Sequence, residues 1–372
     1  MRNDRKRVGV YLYDTANRCF GLGEFETNLG LGLASKAKQL RSESNMELYF
    51  IVRREQVGAF GNDVNYIVLN KWRLRLLNCQ LFRPWQRRLF PELDLIHYTH
   101  QTPKIHRGLS PLALLTIHDM NFLHNQNSPA SLARKMRRFK RGLGLATHLA
   151  FISNYTEQDV MQAISLKLPH RVVLNGVKDL TAIKTSQRNQ STVPYLFHVS
   201  RLAAKKNVHL LIQMMKYLPD YQLVIAGKGH SDYEQQLHRL IDREGLQNVT
   251  LVGRILEDEK AFFYRHCAAL AFPSISEGFG LPVIEAMYFG KPVFLSRLTA
   301  LPEIGGDVAY YFDKLEPRDM AEVVRRGLAE HQDNEAARSQ LIRQHAATFS
   351  WEKATESYIE YYKDILATDT KG

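Results

Sequence analysis

At 372 residues, 45% of them hydrophobic and 10% aromatic, the chain is too long for one ordinary core and too apolar for disorder, so two domains of about 180 residues are expected. The net charge of +12 is one-sided: residues 1–180 hold 27 Lys+Arg against 14 Asp+Glu, and the remainder holds 23 against 24. A basic half beside a neutral half predicts that one domain meets an anionic surface while the other has a separate task.

The first half alternates short apolar or β-branched runs at residues 8–13, 47–52, 66–69, 95–98, 112–117, 148–152 and 171–174 with segments of helical spacing such as 24–40 and 129–145. That alternation predicts a mostly parallel sheet with helices on both faces, whose ligands bind at the carboxyl ends of strands. Residues 181–193, TAIKTSQRNQSTV, are polar and aperiodic and read as a linker. The βα pattern then repeats with strands at 195–199, 222–226, 249–252, 268–272, 292–295 and 309–312. Two Rossmann-like domains facing across a cleft are expected, 1–180 and 194–350. The segment 351–372 opens with Trp351, Tyr358, Tyr361, Tyr362 and Ile365 at amphipathic spacing and is expected to pack back on the N-terminal domain. Cys19, Cys79 and Cys267 show no metal-ligand spacing and fit a reducing compartment. The N-terminus enters a strand with no apolar signal core, and no run reaches the roughly 18 apolar residues of a spanning helix. The sequence reads as cytoplasmic.

The stretch 272–286, FPSISEGFGLPVIEA, organises the second half. A strand ends, glycines let backbone approach a ligand, and Pro282 opens a helix whose free N–H groups suit a phosphate. Glu277 on the loop and Glu285, placed in the first helical turn, flank that anion site, which suggests a ligand with both phosphates and hydroxyls, such as a nucleotide sugar. The macrodipole alone explains a Glu in a first turn, but not Glu277. Arg201 and Lys206 follow the strand at 195–199 and can lean over one mouth of the sheet to neutralise a diphosphate; alone they would read as a solvated basic turn. In the first half, Gly21-Leu22-Gly23-Glu24 reads as a loop after the first strand, either a plain turn or a ligand loop. His118 ends the strand of Thr116-Ile117 beside Asp119, where structural and functional roles are equally open.

Two basic stretches remain. Residues 71–90, KWRLRLLNCQLFRPWQRRLF, mix five arginines and a lysine with tryptophans, leucines and phenylalanines, and 134–141, RKMRRFKR, is denser. Such segments lie at anionic membrane surfaces, form ordinary solvated helix faces, or bind single-stranded nucleic acid. The large apolar side chains favour the membrane, while Pro84 limits any continuous helix in the first stretch.

On these residues the chain resembles the retaining, nucleotide-sugar-dependent glycosyltransferases of family 4, with the GT-B fold. The matching elements are the E-x7-E motif EGFGLPVIE from Glu277 to Glu285, SRLAAKKN at 200–207, AGKG at 226–229, NGV at 175–177 and FPS at 272–274, with GLGE and TIHD weaker. The loop lacks the family's commoner adjacent glycine pair, and Ser200 stands where the family often has glycine. The resemblance implies that Arg201 and Lys206 hold the donor diphosphate with N–H groups of Gly23, Gly280 and Leu281, on a loop completed by Gly278 and Phe279. Glu285 would take the ribose hydroxyls, Glu277 the transferred sugar, His118 would face that sugar, and the base would lie near Gly227, Arg254 and Ile255. With no D-x-D triplet, no metal and no other cofactor are expected; the donor is a substrate. The implied reaction is front-face transfer, in which the leaving phosphate oxygen takes the acceptor's proton.

The expected function is a retaining hexosyltransferase, peripheral at the inner face of the cytoplasmic membrane. It would move a hexose from a GDP- or UDP-sugar to a glycan or glycolipid acceptor of lipopolysaccharide, O-antigen or capsule synthesis, with no nucleic acid partner. The rival readings are a soluble glycosyltransferase making a disaccharide or polysaccharide, a non-enzymatic nucleic-acid-binding protein and, more distantly, a nucleotide-sugar epimerase.

Overall fold

The computed structural model describes residues 5–13, 15, 21–79, 90–106, 108–124, 128–185, 193–229 and 231–368. The chain divides into two compact units, Met1–Gly176 with Trp351–Gly372, and Val177–Ser350. Residues 80–89 of the first basic stretch, with Pro84, residues 186–192 of the expected linker, and Cys19 lie outside the described residues.

In the first unit the described strands are β1 (Lys6–Tyr11), β2 (Met46–Val52), β3 (Asn65–Val68), β4 (Leu95–Tyr98), β5 (Leu112–Ile117), β6 (His148–Phe151) and β7 (His170–Val172). They form one parallel sheet in the order β3-β2-β1-β4-β5-β6-β7. Val8, Val10 and Leu12 point to one face, where Phe25, Leu29 and Leu33 of the helix Gly21–Ser35 cover them; Tyr11 and Tyr13 point to the other, against Tyr98, Ile105 and Leu115. Burial on both faces is why these strands read as near-continuous apolar runs.

The final helix, Trp351–Thr368, belongs to this core although the whole second unit separates it in sequence. Its tyrosines satisfy a buried polar cluster: His97 Nδ1 bonds the Tyr362 hydroxyl at 2.7 Å, His97 Nε2 bonds Thr116 Oγ1 at 2.7 Å, and Thr116 Oγ1 meets the Tyr358 hydroxyl at 3.1 Å. Tyr361 donates to the carbonyl of Leu149 at 3.1 Å. An unpaired polar group here would carry its full desolvation cost, so the cluster specifies where the helix docks.

The unit boundary falls at Gly176/Val177, ahead of the polar tract at 181–193. Val177 donates to Phe349 O at 2.8 Å, and Val177 and Leu180 are buried, so the chain joins the second unit before its polar residues begin. The helix expected over 24–40 is two helices, Gly21–Ser35 and Ala37–Glu43, with Lys36 between them. That break lets Leu33, Ala37 and Leu40 all face the core.

The second unit holds β8 (Tyr195–Val199), β9 (Gln222–Ala226), β10 (Val249–Gly253), β11 (Ala269–Phe272), β12 (Val293–Ser296) and β13 (Tyr310–Phe312), all parallel, in the order β10-β9-β8-β11-β12-β13. The order reverses between β8 and β11, which makes the carboxyl ends of those two strands the switch point where ligands bind in such sheets.

Candidate functional site

The loops after β8 and β11 meet at that switch point and are bonded to each other. Asn207, in the left-handed region at φ 52°, donates through Nδ2 to Pro273 O at 3.0 Å, and Ile275 N donates to Lys205 O at 2.9 Å. Ser296 Oγ donates to Ser274 O at 2.5 Å, and Glu277 N donates to Thr299 Oγ1 at 3.1 Å. On this frame Lys206 and Glu277 are each only 13% exposed and form an ion pair between Nζ and Oε1. The resemblance gave these two side chains to different parts of a ligand; here each is the other's partner. Lys206 also lies over the Phe272 ring, 5.3 Å from its centroid. Arg201 is exposed and makes no hydrogen bond or ion pair among the described residues.

His198 supports this loop from beneath. It is fully buried, Nδ1 bonds Ala271 O at 2.9 Å, Nε2 bonds Ser200 Oγ at 2.8 Å, and its ring stacks on Phe272 at 5.4 Å. Burial pushes its pKa down to about 4, so the ring is neutral at pH 7: Nδ1 donates to the carbonyl and Nε2 accepts from the serine. Ser200, a departure from the family pattern, therefore has a bonded role.

Gly227 closes the neighbouring turn. Its N–H donates to Gly253 O at 2.7 Å, its φ is 132°, and a Cβ there would stand 1.8 Å from Ser200 O. Only glycine lets the β8 and β9 turns approach this closely. Arg254 is exposed and Ile255 half-buried just past β10.

The helix after the loop runs Leu281–Tyr288, opened by Gly280 at φ 114°. Its first N–H groups lack intrahelical acceptors. Glu285 is the fifth residue of this helix and lies past the first turn where the sequence placed it, so the dipole does not account for it. It is 3% exposed, and both oxygens are engaged: Lys260 Nζ reaches Oε1 at 2.5 Å and the Tyr264 hydroxyl donates to Oε2 at 2.7 Å. Lys260 and Tyr264 stand four apart on one face of the helix Glu257–His266. Sequence reading missed both, and only that spacing could have drawn notice. Phe279 is buried against Phe349 with ring centroids 5.9 Å apart, which leaves the loop backbone as its contribution to a ligand; Gly278 beside it is half-buried.

In the first unit, Gly21-Leu22-Gly23 is the opening turn of the helix Gly21–Ser35, not a loop. Inward burial of Phe25, Glu26 and Leu29 outweighs the glycines' turn tendency. His118 sits at the carboxyl end of β5 with Nε2 on Thr99 O at 2.8 Å and Phe25 edge-on at 4.6 Å. Burial lowers its pKa to about 4, so it is neutral and donates through Nε2. Thr99 Oγ1 in turn donates to Glu26 Oε1 at 2.8 Å; Glu26 is fully buried, and the sequence did not single it out.

Residues 180–344 match the family model of glycosyl transferases group 1. In fold, the chain matches sucrose-phosphate synthase of Thermosynechococcus elongatus with a TM-score of 0.73 at 18% identity, over 98% of this chain and 100% of that one. The chain thus has the GT-B fold, two Rossmann-like α/β units each built on a parallel sheet. HepE from Anabaena, solved with UDP and glucose, aligns with a TM-score of 0.67 at 19% identity over 96% of this chain and 99% of its own. In sequence, O-antigen chain mannosyltransferase B of Escherichia coli is 31% identical over 179 residues, 45% of this chain and 45% of that relative. That alignment thus spans about half the length of either protein.

Among the described residues, the chain gathers no group of three His, Cys, Asp or Glu side chains able to hold a metal, and no helix is long and apolar enough to cross a membrane. Its basic helix Pro129–Leu143, capped by Ser128, turns Arg134, Arg137, Arg138, Lys140 and Arg141 outward. Phe139 and Leu143 are buried in the unit's own core, so the apolar face expected to enter a membrane is already used. What remains outward is charge, with Trp72 of the helix Lys71–Asn78 at 73% exposure.

Proposed function

We propose that this chain is a retaining hexosyltransferase that moves a sugar from a nucleotide-sugar to an envelope glycan or its lipid-linked precursor. It works at the inner face of the cytoplasmic membrane, within lipopolysaccharide, O-antigen or capsule synthesis. The observation that carries the reading is the group at the β8/β11 switch point: Arg201, the Lys206–Glu277 pair and the helix start at Gly280–Leu281, beside the buried Glu285. Cations and helix N–H groups suit a diphosphate, and paired carboxylates suit sugar hydroxyls. Two relatives named for O-antigen mannosyl transfer, from Escherichia coli and Salmonella typhimurium, support the envelope acceptor and make mannose the first sugar to test.

The chemistry follows from the charges. Departure of the nucleoside diphosphate places new charge on the β-phosphate, and Arg201, Lys206 and the N–H groups of Gly280 and Leu281 offset it where it forms. As the diphosphate enters, Lys206 turns from Glu277 to phosphate, and the released carboxylate accepts bonds from the sugar's hydroxyls. The acceptor attacks from the same face, its proton passing to the leaving phosphate oxygen. The described cations do the work of a divalent metal, so chelation leaves activity intact. Gly23 and His118 keep the donor roles implied by the resemblance, with Gly227, Arg254 and Ile255 about the base.

A panel of GDP-, UDP- and ADP-sugars, read by thermal shift and by sugar release, tests the reading; no response to any of them overturns it. A trapped covalent glycosyl-enzyme would sink the front-face route. For the membrane, flotation on anionic vesicles should fall when Arg134, Arg137 and Arg138 are changed to Gln. Equal flotation would remove these arginines as the membrane contact, and no flotation of either protein would favour the soluble transferase, since the helix's own apolar side chains are buried.

A further inference from the structure

Among the described residues, three that are not glycine hold a positive φ: Asn45 at 50°, Asn207 at 52° and Thr299 at 57°. Asparagine enters the left-handed region at little cost, because its short polar side chain bonds locally. Threonine does not. Its branched Cβ crowds the following carbonyl oxygen there, and such a residue persists only where its surroundings over-determine it. Thr299 lies in the second unit, on the loop that follows β12.

Two hydrogen bonds join this loop to the one that carries Glu277. Ser296 Oγ donates to Ser274 O at 2.5 Å, and Glu277 N donates to Thr299 Oγ1 at 3.1 Å. The first holds the stem, together with the bonds from Ile275 N to Lys205 O and from Asn207 Nδ2 to Pro273 O. The second acts at Glu277 itself. A β-branched side chain has little freedom at χ1, so the left-handed turn aims the hydroxyl at one point and keeps it there. Glycine would take this φ without strain but would offer no acceptor. Glu277 is thus held twice, by its backbone from Thr299 and by its carboxylate from Lys206. In the reaction proposed above, Lys206 leaves that carboxylate for the diphosphate, whereas the bond to Thr299 involves no charge and stays.

We propose that Thr299 is a positioning residue for Glu277: its strained backbone presents a hydroxyl that clamps the Glu277 N–H and so sets where the freed carboxylate meets the transferred sugar. Its effect on turnover rests on the transferase reading, while the clamp on Glu277 does not.

Three variants of the full chain, Thr299→Ser, Thr299→Ala and Thr299→Gly, test this against wild type. Amide hydrogen exchange needs no substrate: at the Glu277 N–H, read by mass spectrometry on fragments within 272–280, it should rise about ten-fold in Ala and Gly and stay near wild type in Ser. With the responding nucleotide-sugar, kcat should fall about ten-fold in Ala and Gly while the donor KM stays within about two-fold, and Ser should restore most of the loss. Stability should follow a different order. Thr299→Gly should melt about 2–4 °C above Thr299→Ala, because glycine takes a φ of 57° freely, although the two turn over alike. Should Ala fold poorly, Gly removes the same hydroxyl without the strain. Unchanged exchange or unchanged kcat in Ala and Gly, a Ser variant no better than Ala, or a donor KM that climbs as kcat falls overturns the proposal. So does a Gly variant that melts no higher than Ala, or turnover that tracks melting temperature. A wild type that releases sugar from no nucleotide-sugar, with the exchange pattern intact, sinks the transferase reading and leaves the clamp standing.

Discussion

The ion pair between Lys260 and Glu285 offers a test that is independent of any substrate. Glu285 is 3% exposed and is held by Lys260 at 2.5 Å and Tyr264 at 2.7 Å, whereas the Lys260 side chain is 21% exposed. The two halves of the pair should therefore be unequal. Lys260→Met leaves a buried carboxylate with one neutral donor; breaking a fully buried pair costs about 3–5 kcal/mol, and the remaining Tyr264 bond and the partial exposure of the lysine bring this down to about 2–3 kcal/mol. Glu285→Gln removes the charge itself, and the freed ammonium can turn toward solvent, so about 1 kcal/mol is expected. The double variant should resemble Glu285→Gln, which makes the coupling about 2 kcal/mol in favour of the pair. Urea unfolding followed by far-UV circular dichroism reads both units, while the described tryptophans, Trp72 and Trp351, belong to the first unit, so the loss should show in the dichroism while the tryptophan fluorescence stays unchanged and serves as the internal control. Equal losses for the two single variants, or additive losses in the double, would refute the claim that Lys260 neutralises a buried charge.

The remaining expectations concern the site and the core. Glu277→Gln should lower turnover by about 100-fold with little change in nucleotide affinity, whereas Glu285→Gln should raise the donor KM by about ten-fold or more; steady-state kinetics with the responding nucleotide-sugar separates them, and full activity in both would show the loop to be misread. Gly227→Ala places a methyl 1.8 Å from Ser200 O at a φ of 132°, so it should cost more than about 2 kcal/mol in thermal unfolding; a wild-type melting temperature would contradict the close approach. Burial pushes the His97 pKa down from 6.5 to about 3, so the unfolded chain takes the proton first. Its stabilisation is complete above pH 6.5 and is lost as the pH falls through that value toward 3. The stability gap between wild type and His97→Gln should thus narrow between pH 7 and pH 4.5 in urea titrations read by tryptophan fluorescence, and a constant gap would rule the explanation out.

The fold was legible in the sequence because burial on both faces turns each parallel strand into an apolar run, and the turns between them announce themselves. The glycines at 21–23 show where that logic fails. Two glycines within the three residues ahead of a helical pattern look like a loop, yet Phe25, Glu26 and Leu29 all point inward, and tertiary burial draws the helix back over them. The final helix was legible as an amphipathic stripe, but hydropathy cannot see that Tyr358 and Tyr362 carry their hydroxyls to Thr116 and His97.

The candidate site divides in the same way. Glu277, Gly280 and Glu285 are visible together because one loop and one helix fix their spacing, so local sequence carries the geometry. Their partners are not visible. Lys206 reaches Glu277 from a different βα turn, and Lys260 and Tyr264 reach Glu285 from the helix before β11; no periodicity records which cation a carboxylate will meet. Chemistry depends on those partners, because a glutamate held by a lysine accepts a sugar hydroxyl only when something else takes the lysine. Under the proposed function that something is the donor's diphosphate, and the pair would then make sugar recognition by Glu277 conditional on phosphate binding by Lys206, a dependence that neither residue shows alone.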